Sequence, residues 1–172
     1  MTTSIVIMGV AGCGKSSLGA ALATALGARL VEGDDHHSPA NRAKMAQGVP
    51  LTDADRAGWL AALADVLQAQ QGASQVLVMS CSALKRAYRE RLRAAAPGLR
   101  FAFLALDRDA ALARVAARAS THFFSSTLVD SQFATLESPS GEPGVLTLDA
   151  LLPLDTLTAQ VRDWLLMDEV QA

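Results

Sequence analysis

The sequence predicts an α/β fold in which a five-stranded parallel sheet carries helices on both faces. Five short apolar segments alternate with segments of helical composition along the 172 residues, and this alternation is typical of βα units. The predicted strands are apolar almost throughout, as expected for parallel strands that are covered on both sides. Residues 9–16 read Gly-Val-Ala-Gly-Cys-Gly-Lys-Ser and follow the first strand directly. We expect one domain, residues 1–172.

The elements can be assigned in order from the N-terminus. Strands are predicted at 4–8, 29–32, 75–80, 99–106 and 145–149. Helices are predicted at 16–26, from 38 or 41 to 47, from 53 through the apolar stripe ending at 67, at 82–93, at 110–118 and after 153. The segment 119–140 is polar and weakly periodic, so we expect a mobile lid with a short helix near 128–136. Because the carboxyl ends of parallel strands share one edge, ligands should bind there.

Four local signals set the helix ends. Gly27 is predicted to end the first helix, since glycine tolerates the left-handed conformation of a C-cap. Ser38 or Asn41 would start the second helix. Thr52 followed by Asp55 resembles a capping box in which Asp replaces the usual Glu. Asp107 or Asp109 would cap the helix that follows the fourth strand.

Composition excludes several classes of function. The formal net charge is −2, with 15 basic and 17 acidic residues, so a nucleic-acid partner is not expected. There is no apolar run of membrane-spanning length and no leader pattern at the N-terminus. Cys13 and Cys81 form neither a disulfide framework nor a zinc pattern. These features favour a cytoplasmic enzyme.

Residues 9–16 match the phosphate-binding pattern G-x-x-x-x-G-K-[ST]. The glycines let the backbone turn tightly and direct its N–H groups at phosphate oxygens, and the start of the next helix adds unpaired donors. Lys15 is expected to reach the β- and γ-phosphates, and the Ser16 hydroxyl to coordinate Mg²⁺. The motif therefore indicates a nucleoside triphosphate, but it does not identify the group that accepts the phosphoryl group.

Polar residues after the second strand are candidates for the acceptor side. Asp34 or Asp35 could orient a hydroxyl or accept its proton, or one of them could touch Mg²⁺ through water; a helix-capping turn explains the pair equally well. The His36-His37 pair is weak as a metal site, because no cysteine accompanies it.

Basic residues after the third strand are candidates for an anion clamp. Lys85 and Arg89 are four residues apart and would share a helix face, although a solvated charged face is the alternative. Arg118 could approach the phosphates from the lid and offset transition-state charge. Trp59 lies in an apolar helical stripe and is predicted to be core rather than site. We expect both cysteines to fill space.

Taken together, these stretches resemble the gluconate kinases, P-loop small-molecule kinases related to shikimate and nucleoside monophosphate kinases. The resemblance runs from about residue 5 to residue 165. It is carried by the loop and by the segments Glu-Gly-Asp-Asp-His-His at 32–37, Pro-Leu-Thr-Asp at 50–53, Cys-Ser-Ala-Leu-Lys at 81–85 and Ser-Gln-Phe at 131–133. Three departures are one extra residue before His122, Gly58 where a proline commonly precedes the tryptophan, and Glu32 in place of a frequent Asp.

The resemblance implies the P-loop kinase fold and phosphorylation of D-gluconate by ATP and Mg²⁺ to 6-phosphogluconate, often by a homodimer. A kinase for another small hydroxy acid and a non-catalytic nucleotide-binding module are the alternatives. The implied catalytic residues are Lys15, Asp34 and Arg118. The implied nucleotide-binding residues are Gly9, Gly12, Cys13, Gly14, Lys15, Ser16 and Ser17, with Ser16 on the metal. The implied substrate-binding residues are Asp34, His37, Lys85, Arg89, His122 and Gln132, of which Gln132 would face the sugar acid.

Overall fold

Five parallel strands form one sheet in the order β2-β3-β1-β4-β5. The computed structural model describes residues 4–118 and 125–169. The strands are β1 (Ile5–Met8), β2 (Arg29–Glu32), β3 (Leu77–Ser80), β4 (Arg100–Ala105) and β5 (Val145–Asp149). The predicted fold class is thereby confirmed. β1 lies in the middle of the sheet, so the loop that follows it opens at the centre of the carboxyl edge.

The helices of the described residues cover both faces of this sheet. They are α1 (Lys15–Leu26), α2 (Pro39–Ala46), α3 (Asp53–Ala69), α4 (Arg86–Ala95), α5 (Arg108–Ala117), α6 (Ser126–Thr135) and α7 (Leu154–Glu169), and a short 3₁₀ turn spans Gly33–His36. No helix within these described ranges is long and apolar enough to cross a membrane.

Two hydrophobic cores lie on opposite sides of the sheet. One joins β1 and β4 to α1, α5, α6 and α7, through residues such as Leu22 and Val161. The other joins the strands to α3 and α4, through Leu63 and Leu92. All four residues of β1 are fully buried, as the continuous apolar sequence predicts for a central parallel strand.

The capping predictions agree with the structure. Gly27 ends α1 with φ 58°. Ser38 rather than Asn41 caps α2, since its hydroxyl accepts from the Asn41 amide at 3.1 Å. Thr52 and Asp55 form the capping box of α3 with both reciprocal bonds. Of the two aspartates offered for α5, Asp107 is the cap.

The fourth helix begins four residues later than the sequence predicts. α4 starts at Arg86, and Lys85 is its extended N-cap. The preceding Ala83 has a left-handed φ of 45°, and the Leu84 carbonyl accepts from the Glu137 amide at 2.8 Å. Residues 81–85 therefore turn along the carboxyl edge of the sheet instead of entering the helix.

In the segment expected to be a lid, α6 begins two residues before its predicted start.

Candidate active site

The glycine-rich loop runs from the end of β1 into α1. Gly9 has φ 146°, and a Cβ at this position would lie 2.7 Å from the Cys13 sulfur and 2.9 Å from the Leu104 carbonyl oxygen. A side chain is thus excluded both by conformation and by space. Gly14 is the left-handed N-cap of α1 and carries no side-chain cap. No side chain of the N-cap residue therefore competes with an anion for the first amides of α1.

Lys15 and Ser16 stand where the loop meets the helix. The Lys15 ammonium lies over its own loop and donates to the carbonyls of Gly9 and Val10, both at 3.1 Å. The Ser16 hydroxyl donates to Glu32 Oε2 at 3.0 Å. The same Glu32 oxygen accepts from the Ser80 hydroxyl at 2.5 Å. A carboxylate from β2 is therefore fixed beside the serine of the loop.

Asp34 projects into the cleft from the 3₁₀ turn that follows β2. Its side chain is 76 % exposed. The turn lies close against β3, because a Cβ on Gly33 would come within 2.2 Å of the Ser80 carbonyl oxygen. Trp59 Nε1 donates to the Gly33 carbonyl at 2.8 Å. Glycine at 33 and tryptophan at 59 thus fix the position of the turn, and with it the position of Asp34.

His37 is buried behind Asp34. Its ring stacks on Trp59 with centroids 4.4 Å apart, and Asn41 Nδ2 lies 3.4 Å from its Nδ1. Because the amide nitrogen can only donate, Nδ1 is the acceptor and the proton sits on Nε2, 3.9 Å from Asp34 Oδ1. Burial lowers the pKa of His37, with Asp34 opposing this effect. These contacts place a buried imidazole of lowered pKa beside the Asp34 carboxylate.

α6 covers the loop from the other side. Gln132 Oε1 accepts from the Ala11 amide at 2.7 Å, so this side chain is bound to the loop and also lines the cleft. Arg114 donates to the Gly12 carbonyl at 3.1 Å and to the Ala150 carbonyl at 3.0 Å. Arg118, the C-cap of α5, lines the cleft as well. The predicted lid residue His122 lies outside the described residues.

These groups surround a cleft of about 840 Å³ at the carboxyl edge of the sheet. The loop and the first turn of α1 form one wall, including Gly12, Gly14 and Ser17. The opposite wall carries Asp34, His37 and two arginines, Arg42 and Arg56. The cleft therefore has an anion-binding side built from backbone amides, and facing it a wall that contains one carboxylate and two guanidinium groups.

Lys85 and Arg89, which the sequence predicts as an anion clamp, each contact an acidic partner in the structure. Arg89 is fully buried. It makes a two-pronged ion pair with Glu142, at 2.6 and 3.1 Å, and donates to three carbonyls. Lys85 is the N-cap of α4 and pairs with Asp53 at 2.9 Å. Neither residue lines the cleft, because each is held by an acidic partner elsewhere.

Two residues that line the cleft, Arg42 and Arg56, are not predicted as site residues from the sequence. Nor is Glu32, which accepts a hydrogen bond from Ser16 beside the cleft. Arg42 lies on α2, and Arg56 lies on α3 one turn before Trp59. The signal for Arg56 was available, since a residue three positions before a buried tryptophan shares its helix face. Trp59 itself is both core and site: it is 3 % exposed and still lines the cleft.

The two cysteines agree with their predicted role. Both are buried and free, and Cys13 packs into the core on the α1 side of the sheet. Burial raises the pKa of the Cys81 thiol to about 12. A thiol that stays protonated is not a nucleophile, so Cys81 fills space at the end of β3.

The parallel sheet, the loop and the facing wall together define a P-loop protein of the small-molecule kinase type. The model of the family described as "AAA domain" matches residues 5–139. Gluconokinase from Gluconobacter oxydans is 46 % identical over 143 residues, 83 % of this chain and 79 % of that protein. Thermoresistant gluconokinase from Escherichia coli is 42 % identical, over 90 % of this chain and 88 % of that protein. A solved gluconokinase structure from Sinorhizobium meliloti is 42 % identical, covers 96 % of this chain and 97 % of its own, and has a TM-score of 0.83. The chain belongs to the gluconokinase family.

Proposed function

We propose that this protein transfers the γ-phosphoryl group of ATP to D-gluconate and releases 6-phospho-D-gluconate. The observation that carries this proposal is the cleft itself. A loop built to hold phosphates faces a wall on which an exposed carboxylate, Asp34, stands beside arginines. A transferase for an anionic polyol needs these two walls, because one holds the donor and the other holds the acceptor.

On the donor side, the amides of residues 12–17 bind the phosphates of ATP. The positive end of α1 adds to their attraction for negative charge. Lys15 leaves the Gly9 and Val10 carbonyls and turns to the transferred phosphoryl group, where its charge stabilises the transition state. Arg118, at the end of α5, adds positive charge from the side of the lid, where we also propose a role for His122.

Mg²⁺ fits the donor set at the end of β2. Magnesium in phosphoryl-transfer sites is bound by one or two protein oxygens together with substrate phosphates and water. Ser16 Oγ and Glu32 Oε2 are oxygens 3.0 Å apart, and no cluster of three metal-binding side chains occurs in ranges 4–118 and 125–169. We assign Ser16 as ligand and Glu32 as its support. The ion would neutralise charge on the phosphates.

On the acceptor side, Asp34 orients the hydroxyl of gluconate that receives the phosphoryl group and takes its proton. His37 lies behind Asp34, with its Nε2 3.9 Å from Asp34 Oδ1. Trp59 fixes the turn that carries both residues. We prefer Asp34 to Asp35 for this role, because Asp34 lines the cleft and Asp35 does not.

The experiment that tests this function measures ADP release by the purified protein with Mg–ATP and a panel of acceptors. D-Gluconate should stimulate ADP release well above the rate without acceptor, and 6-phosphogluconate should accumulate in equal amount. Stimulation by shikimate or a nucleoside monophosphate, with none by gluconate, would contradict the proposal. ATP binding without transfer to any acceptor would instead favour a nucleotide-binding module.

We further propose a single-domain, cytoplasmic homodimer that has no nucleic-acid partner. The net charge of −2 supports the last point, because phosphate-backbone binding depends on clustered positive charge. The dimer rests on the resemblance to the family. Light scattering on the eluted protein would give its mass, and a mass of one chain at micromolar concentration would refute the dimer.

A further inference from the structure

The acceptor proposed above carries a carboxylate, and the cleft must contain a cation that binds it. Three guanidinium groups line the cleft: those of Arg42, Arg56 and Arg118. Gluconate bears its negative charge at the end of the chain opposite the phosphorylated hydroxyl. The binding cation therefore belongs on the acceptor wall and away from the loop. This excludes Arg118, which ends the helix packed behind the loop, and leaves Arg42 and Arg56.

Two of the five N–H donors of Arg42 bind the turn that precedes α2. Its Nη2 donates to the Asp35 carbonyl at 2.8 Å and its Nε to the His37 carbonyl at 3.3 Å. These bonds connect α2 to the 3₁₀ turn. Rotating Arg42 toward a ligand would break both of them. Arg42 therefore stabilises the turn that carries Asp34.

Arg56 has a different set of contacts. Within residues 4–118 and 125–169 its guanidinium makes one hydrogen bond, from Nη1 to the Tyr88 hydroxyl at 3.3 Å. Its Cζ lies 5.8 Å from the centre of the Tyr88 ring. The group is half-buried and lines the cleft. One edge of the guanidinium is therefore held from behind, and the other retains N–H donors in the geometry that binds a carboxylate.

The hydrogen-bond direction at Tyr88 explains why Arg56 is held in this way. Tyr88 donates its only hydroxyl proton to Asp53, which also accepts two bonds from Lys85 at 2.9 and 3.0 Å. The tyrosine oxygen is left as an acceptor for Arg56. Lys85, Asp53, Tyr88 and Arg56 thus form a chain of bonds between the first turns of α3 and α4, and this chain ends at the cleft.

We propose that Arg56 binds the carboxylate of the acceptor and selects sugar acids over neutral polyols, with Tyr88 as its positioning residue. The proposal rests on the proposed function, since it concerns the acceptor of that reaction. It gives Lys85 an indirect part in acceptor binding, through Asp53 and Tyr88. Lys85 thereby contributes to the site without touching the substrate.

The test compares D-gluconate with D-gluconamide, its neutral amide of nearly equal shape. Arg56→Gln should lower kcat/KM for gluconate by about 10- to 100-fold, the effect of losing charge-assisted hydrogen bonds. KM for ATP and kcat/KM for gluconamide should stay within about 2-fold. Arg86→Gln is the matched control, because Arg86 pairs with Glu90 on the exposed face of α4. It should change neither substrate's constants.

Tyr88→Phe separates positioning from simple packing. It keeps the ring and removes the hydroxyl, so KM for gluconate should rise several-fold with little change in kcat. In the Arg56→Gln background the same change should have no further effect on KM for gluconate, because a positioning residue acts only through the group it positions. An additive loss in the double variant would refute the positioning role.

The outcomes distinguish this inference from the proposed function. If the unaltered protein does not phosphorylate gluconate, the proposed function fails and this inference fails with it. If the unaltered protein phosphorylates gluconate and Arg56→Gln keeps the preference for gluconate over gluconamide, only the inference fails. A selective loss for gluconate in Arg42→Gln but not in Arg56→Gln would likewise overturn it and would reassign the carboxylate to Arg42.

Discussion

The buried ion pair between Arg89 and Glu142 offers a decisive test of how α4 is held to the chain segment after α6. Replacing Arg89 by methionine removes five donated hydrogen bonds, two to the Glu142 carboxylate and three to carbonyls. It leaves a carboxylate that is only 10 % exposed with Arg93 as its remaining partner. We expect a loss of stability and no specific effect on substrate binding.

The magnitude follows from the burial of both partners. Removing one member of a buried ion pair destabilises a protein by about 3–5 kcal/mol, because the other charge stays behind without its partner. For a chain of this length, each kcal/mol lowers the melting temperature by about 2–4 °C. Arg89→Met should therefore melt about 6–20 °C below the unaltered protein. Arg89→Lys keeps a charge but loses the two-pronged geometry, so it should fall in between.

The assay combines urea unfolding with steady-state kinetics on the folded fraction. Arg91→Met is the matched control, since Arg91 is exposed on the same helix, and it should change the free energy of unfolding by less than about 0.5 kcal/mol. KM for gluconate should be close to that of the unaltered protein in both variants. A loss below about 1 kcal/mol in Arg89→Met, together with a tenfold rise in KM for gluconate, would refute the structural role and restore the substrate-binding one.

Four further predictions concern the cleft. Lys15→Ala should lower kcat by ~10²-fold or more, as expected for a charge on the transferring group; unchanged turnover would remove the loop from catalysis. Asp34→Asn should lower kcat by ~10²–10⁴-fold if Asp34 is the general base, whereas an effect on KM alone would make it a binding residue. Gln132→Met removes the acceptor for the Ala11 amide and should raise KM for ATP by about 3- to 10-fold; a rise in KM for gluconate instead would return Gln132 to the sugar acid. Burial lowers the pKa of His37, so the unfolded chain binds a proton that the folded chain does not, and stability should fall as the pH drops below about 6.5. Unfolding titrations from pH 8 to pH 5.5 should show a flatter limb in His37→Gln.

The fold could be predicted from the sequence because its determinants are local. Apolar runs identify buried strands, and capping residues such as Thr52 and Asp107 fix helix starts through bonds to amides three residues away. The loop between β1 and α1 is equally local, since its glycines and Lys15 act within eight residues. A pattern whose interacting groups are neighbours in sequence can be recognised in sequence.

The start of α4 could not be predicted, because its cause is distant. Residues 82–85 have good helix propensity, yet Leu84 is held by the Glu137 amide and Ala83 adopts a left-handed conformation. Tertiary contacts of this kind override propensity. The displaced start moves Lys85 out of the helix, so the assumption that Lys85 and Arg89 share one face no longer holds.

The assignment of cations to the cleft depends on where their acidic partners lie. Arg89 and Arg56 are equally basic in sequence, and the motif around residue 85 favours Arg89. We infer the opposite choice, because Glu142, 53 residues away, pairs with Arg89, while Tyr88 holds only one edge of Arg56. A guanidinium that is fully satisfied inside the protein has no donors left for a ligand. Function among arginines is therefore determined by what remains unsatisfied after folding, and that depends on long-range contacts of both residues.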